Sequence, residues 1–159
     1  MATKVIKKGK HGALIRKTSR GGYTRFVKNT AKPGTVDVGI IDAKKRKDSP
    51  LTVATIAYIN EFGMEHIPER PFFRWVTKEK KDEILKLSEQ LYKKMQKDDM
   101  PIEQALGLLG QTIMDFVQRR IVDLQEPPNA PITIKRKGSS NPLIATSQMV
   151  NSVTYKVNK

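Results

Sequence analysis

Cysteine is absent from the 159 residues. Its absence excludes disulfides, thiolate metal sites and a cysteine nucleophile, and carries little information about compartment. Histidine is nearly absent too: His11 and His66 are the two in the chain. No stretch approaches the roughly 20 apolar residues that span a bilayer, so no membrane contact is expected. The N-terminus, MATKVIKKGKHGALIRK, is basic and lacks an apolar h-region, so a secretory signal is not expected. A soluble chain, made and used in the cytoplasm, is the resulting expectation.

Acidic residues are missing from particular places. The net charge is +14, from 30 Lys and Arg against 16 Asp and Glu. Residues 1–50 carry 14 basic and 3 acidic side chains, residues 51–126 carry 11 and 13, and residues 127–159 carry 5 and none. The positive excess therefore sits on two flanks around an ordinary middle. Such flanks neutralise phosphates and release counterions, or simply stay solvated.

Residues 1–22, with Lys7-Lys8-Gly9-Lys10 and Arg20-Gly21-Gly22, show no periodicity and read as a flexible basic arm. Residues 23–159 read as a single α+β domain. Tyr23 to Lys28 alternates weakly, Lys32-Pro33-Gly34-Thr35 signals a turn, and Val36, Val38 and Ile40 alternate, which predicts a hairpin over 23–41. Lys44-Lys45-Arg46-Lys47 follows in a loop. Thr52 caps a predicted helix carrying Val53, Ile56, Ala57 and Ile59, and Gly63 stands where a left-handed C-terminal residue is wanted. Phe73, Val76, Ile84, Leu87, Leu91 and Met95 predict one long helix, partly exposed. Pro101 opens a third, with the clearest apolar stripe: Ile102, Ala105 or Leu106, Leu109, Ile113, Val117, Ile121 and Leu124. Residues 132–145 read as an irregular loop with room for a short strand, and Ser152 to Val157 as a final strand. About three helices on one face of a small antiparallel sheet, built from the N-terminal hairpin and the C-terminal strand, is the expected fold.

The search for chemistry finds no nucleophile elbow, P-loop, Gly-x-Gly-x-x-Gly or His-Glu-x-x-His. His66 has Glu65 adjacent and Glu69 nearby, but nothing in this spacing makes them converge on a metal. Asp82-Glu83 and Asp98-Asp99 read as surface and helix-end charge. No catalytic residue, metal or cofactor is expected, and the chain is read as a non-enzyme. Lys7, Lys8, Lys10, Arg16, Lys17, Arg20 and Arg25 are candidates for contact with DNA or an acidic partner. Tyr23 and Phe26 flank Arg25 as in single-strand binders, but aromatics turned into a core account better for that pattern.

Two stretches form a recognisable set. One runs Ala57-Tyr58-Ile59-Asn60-Glu61-Phe62-Gly63 and, after a short loop, Ile67-Pro68-Glu69-Arg70-Pro71-Phe72-Phe73-Arg74. The other runs from Pro127-Pro128-Asn129-Ala130-Pro131 through Lys135-Arg136-Lys137-Gly138 and Asn141-Pro142-Leu143-Ile144-Ala145-Thr146 to Ser152-Val153-Thr154-Tyr155-Lys156-Val157. With Val38-Gly39-Ile40 before them, they resemble, over residues 36–157 and in order, the neck and tail-completion (tail-component) proteins of long-tailed bacteriophages. One departure is Thr146-Ser147, where that family usually has Thr-Gly.

The resemblance implies a structural virion protein at the head–tail junction, assembled in the host cytoplasm. It implies a homo-oligomeric ring around the DNA channel, in contact with adaptor, head-closure and tail-terminator proteins and with genomic DNA passing through. Within that frame, Arg70 and Arg74 stand one helical turn apart and Glu61 is a candidate partner, in the chain or across a boundary. Phe72 and Phe73 do not both fit one core, so Phe72 is a candidate interface anchor. Lys135, Arg136 and Lys137 are candidates for docking onto a partner ring. The alternatives are a basic nucleic-acid-binding protein, or a tail-terminator or head-closure protein in an adjacent neck layer.

Overall fold

The computed structural model describes residues 6–8, 14–16, 34–41, 50–98 and 100–158. Two short strands, β1 (Ile6–Lys8) and β2 (Leu14–Arg16), pair antiparallel with Lys7 opposite Ile15. They lie inside the segment expected as a bare arm. Lys10, Lys17, Arg20, Arg25, the Tyr23–Lys28 half of the expected hairpin and the Lys44–Lys47 run lie outside the described residues.

The rest of the described chain is α+β, with six helices and a two-stranded antiparallel sheet. β3 (Thr35–Gly39) pairs antiparallel with the C-terminal β4 (Thr154–Asn158), placing Val36 opposite Val157 and Val38 opposite Tyr155. Between them run α1 (Val53–Phe62), α2 (Phe73–Glu79), α3 (Lys81–Lys97), α4 (Ile102–Asp123), α5 (Pro131–Lys137) and α6 (Gln148–Ser152). Among the described residues, no helix is long and apolar enough to cross a membrane.

α4 organises the molecule. It packs on β3 and β4, and Gly110 permits this, because a Cβ there would come within 2.7 Å of Tyr155 and Val36. One turn of its stripe, Ala105, meets Leu91 and Met95 of α3 in a small cluster. The C-terminal turns, Val117 and Ile121, join Leu124, Val53, Ala57, Phe72, Val76, Leu143, Met149 and Val153 in the main core. These two clusters explain why one expected helix is two. α2 serves the main core through Val76, α3 serves the small cluster through Leu91 and Met95, and the chain bends between them at Lys80 (φ −102°, ψ 7°).

The expected loop over 132–145 begins instead as α5. Pro131 sits in the first turn, where its missing N–H costs nothing, and Gly138 closes the helix in the left-handed region at φ 67°. Lys135, Arg136 and Lys137 fall in the last turn, where cations complement the helix dipole. The β-branched Ile132, Thr133 and Ile134 favour a strand locally, and the two end signals outweigh them.

Ser147, which stands where the resemblance leads one to expect glycine, adopts φ 55° and ψ 5° just before α6. The left-handed turn is therefore made without glycine, at a cost of about 1–2 kcal/mol for an L side chain. Glycine would remove that cost while adding about 0.4–1 kcal/mol of unfolded-state entropy. Ser147→Gly is thus expected to raise stability by about 0.5–1 kcal/mol, read as a higher urea midpoint at unchanged slope.

Candidate functional site

α1 ends in an unusual way. Its last turn carries Glu61, an acid at the negative end of a helix dipole, and that side chain is only 4% exposed. Its partner is the next helix. Phe72, which precedes α2, supplies no side-chain cap, and Glu61 supplies it from outside. One carboxylate oxygen accepts from the backbone N–H of Phe72 (2.8 Å) and Phe73 (3.0 Å), and the other accepts from Arg74 N–H (2.9 Å). Three donors at a helix start are met by one buried anion, which the positive end of α2 favours.

Arg74 completes the arrangement. Its Nε donates to Glu61 at 3.2 Å, and its terminal nitrogen reaches the Glu61 carbonyl oxygen and, at 2.6 Å, the Glu69 carboxylate. The Glu69 hydrogen bond foremost, and both carboxylate charges, hold the Arg74 guanidinium above its ordinary pKa. The guanidinium also lies 4.8 Å from the centre of the Phe62 ring.

Arg70 points elsewhere. It is 4% exposed, donating through Nε to the Pro127 carbonyl (2.8 Å) and through a terminal nitrogen to the Pro128 carbonyl (3.0 Å). Its other terminal nitrogen reaches the Asn60 side chain at 3.4 Å, and its backbone N–H donates to the Asn60 carbonyl at 2.6 Å. Burial lowers its pKa from the ordinary arginine value. The planar fork of arginine suits two neighbouring carbonyls, whereas a lysine ammonium has no such geometry. Phe72 is fully buried in the main core, and Phe73 packs at its edge with ring centres 4.9 Å apart.

Three expected interface residues, Glu61, Arg70 and Phe72, thus act inside the chain. They form a clasp that joins the end of α1, the loop over 64–71, the start of α2 and the prolines after α4. The reason is local. A seven-residue helix lacking its own cap needs an external anion, and consecutive proline carbonyls need external donors.

Gly63 makes the clasp possible. Its φ of 75° comes with ψ 174°, so it is not the left-handed cap expected but an extended, positive-φ conformation essentially confined to glycine. A Cβ would also meet the Ile67 carbonyl at 2.9 Å and Glu69 N at 3.0 Å. Asparagine, which tolerates the left-handed region, is expected to fail here. Gly63→Asn should cost about 1–3 kcal/mol, read by thermal or urea unfolding.

Beside the clasp lies an open groove of about 1100 Å³. α1 contributes Ile56 and Ile59, the 64–71 loop contributes His66 and Pro68, α5 contributes Thr133, Arg136 and Lys137, and the chain beyond it contributes Leu143. Asn141 shapes that last stretch, accepting from Leu143 and Ile144 N–H and donating to the Val122 carbonyl at 2.7 Å. Lys137 donates to the Asn141 and Pro142 carbonyls. Lys135 and Arg136 are exposed. The sequence marks the three cations but not the groove, which forms only because they stand on a helix and not on the expected loop.

Apolar surface continues outside the groove. Tyr58 and Phe62 stack on the outer side of α1 with ring centres 4.7 Å apart, and both are exposed, as are Met64 and Ile67 in the turn that follows. Ile132, at the start of α5, is 79% exposed. His66 is exposed beside Glu65, and among the described residues no three His, Asp or Glu side chains gather as a metal would require. Lys7, Lys8 and Arg16 fall on β1 and β2.

Comparison with protein-family models, with curated proteins and with solved structures finds no match for this chain.

Proposed function

We propose that this chain is a structural, non-enzymatic virion protein of the head–tail connection of a long-tailed bacteriophage, a neck or tail-completion protein that assembles as a homo-oligomeric ring. The observation that carries the reading is how the resemblance-bearing stretches meet. Asn60-Glu61-Phe62-Gly63, the Pro68–Arg74 segment and Pro127-Pro128 are distant in sequence, yet they close one hydrogen-bonded clasp. Their meeting in one clasp supports reading the ordered motifs as a set.

Exposed apolar surface supports the assembly part of the proposal. An aromatic pair in water beside Met64 and Ile67 gains from a protein neighbour, and a solvated monomer has little use for it. A ring needs a heterologous contact that closes on itself. The work done is burial of surface against neighbouring subunits and against adaptor, head-closure or tail-terminator proteins, with no bond made or broken. The basic flank, residues 1–50, faces DNA in the channel or an acidic protein surface on this reading.

Gold-labelled antibody against the full chain, applied to opened virions of the phage that encodes it, tests the placement. Label at the head–tail junction is expected; label on capsid faces, along the tail, or nowhere would contradict it. The charge distribution favours one second reading, a basic nucleic-acid-binding protein. It requires DNA affinity that falls steeply with salt, and absence of binding at low salt removes it.

A further inference from the structure

We infer that the groove between α1, the 64–71 loop and α5 is a docking site for an extended acidic polypeptide segment bearing aliphatic side chains, supplied by a different protein. This rests on the lining of the groove and not on the head–tail reading.

Charge comes first. Among the described residues that line the groove there are three cations, Arg70, Arg136 and Lys137, and no Asp or Glu. Arg70 is held by the Pro127 and Pro128 carbonyl oxygens, and Lys137 donates to those of Asn141 and Pro142. Glu69, in the same loop, is engaged by Arg74, and Glu65 does not line the groove. A concave surface with one sign of charge focuses its field and gathers the opposite sign.

The rest of the lining separates peptide from nucleic acid. Ile56, Ile59, Leu143 and Met149 are aliphatic or thioether side chains, and the described lining contains no Phe, Tyr or Trp; its one ring is the His66 imidazole. Bases would find none of the large aromatic platforms, Phe, Tyr or Trp, on which single-strand binders stack them. Aliphatic side chains would find Ile56, Ile59, Leu143 and Met149 to pack against. A volume of about 1100 Å³ is enough for several residues of a chain.

The chain's own segments are unsuited to the groove. Residues 1–33 carry ten Lys and Arg and no Asp or Glu, residues 42–49 carry four and two, and residues 127–159 carry five and none. The same repulsion disfavours the flanks of a second copy. Most acids of residues 51–126 stand on helices and not on an extended segment, so the occupant is another protein.

Fluorescence anisotropy with the full-length chain tests this, using three labelled probes: a short peptide alternating Glu with Leu, the same peptide with Lys in place of Glu, and a short mixed-sequence single-stranded DNA. The acidic peptide should bind and the basic one should not. Arg136→Glu should weaken acidic-peptide binding by about tenfold or more, since like charges oppose in the groove. Thr133→Trp, which fills the groove without changing charge, should weaken it as well. Lys86→Glu, the same charge change on exposed α3, should leave it nearly unchanged. Circular dichroism checks that each variant keeps its fold. Three results would overturn the inference: no binding of the acidic peptide, equal losses from Arg136→Glu and Lys86→Glu, or DNA binding that Arg136→Glu removes while the peptide does not bind.

Discussion

Glu61→Ala is expected to destabilise the fold by about 3–5 kcal/mol, the range seen when one member of a buried, hydrogen-bonded charge arrangement is removed. The loss has two parts. The N–H groups of Phe72, Phe73 and Arg74 lose their acceptor, and Phe72, fully buried, has no water to replace it. Each buried donor left unsatisfied costs about 1–3 kcal/mol. Arg74, about half exposed, regains water and keeps Glu69, so its share is small. Glu61→Gln should fall between, because its amide keeps one acceptor oxygen but turns a donor toward donors. Urea unfolding reads the result as a shift in midpoint at constant slope. Against a typical total stability of about 5–15 kcal/mol, a loss this size puts the variant near the edge of folding. A loss below about 1 kcal/mol would mean that Glu61 is not the cap of α2.

Arg70→Ala is expected to cost about 3 kcal/mol, by leaving the Pro127 and Pro128 carbonyls without their donors and opening space at the loop. Arg70→Lys should recover less than half of that, since one ammonium lacks the fork that spans both carbonyls. Arg70→Met should be milder than alanine. It keeps most of the volume and removes a charge whose burial already lowers its pKa. The order Ala worst, Lys intermediate and Met near Lys is the signature of a tether within the chain. Unchanged stability in all three, with assembly lost, would instead return Arg70 to a subunit boundary.

Glu61 and Arg70 both stand out in the sequence, but their partners in the chain are only partly written there. Spacing alone put Arg70 and Arg74 on one side of a turn with Glu61 as a carboxylate to meet. Arg74 does meet it, but Arg70 turns to the prolines after α4, a contact 57 residues away that no local pattern encodes. Phe72 was one of two adjacent aromatics, and nothing in the sequence says which of them the core takes. Burial of Glu61 was legible in principle. An acid in the last turn of a helix opposes that helix's dipole, which makes sense only if the acid serves another element.

α1 and α4 were legible because strong signals agree. Thr52 caps α1 through Thr55 N–H at 3.1 Å, and the apolar stripe of α4 faces two cores in turn. α5 was legible from Pro131 and Gly138, yet its three β-branched residues drew the reading toward loop and strand. That the strand over 36–41 and the C-terminal strand share one antiparallel sheet was legible, but their register was not. Both strands alternate, but their register depends on α4 bringing the chain ends together across its length, and that is a tertiary fact. The groove was hidden for the same reason, since it exists only once α5 is a helix set against α1.

The role proposed for the chain is to join heads to tails through protein contacts. Electron microscopy of particles from a phage carrying a stop codon early in this gene tests it most directly. Full heads lying beside separate, completed tails are the predicted result. Normal infectious virions would contradict it, and would move the basic flanks, and with them nucleic-acid binding, to the front.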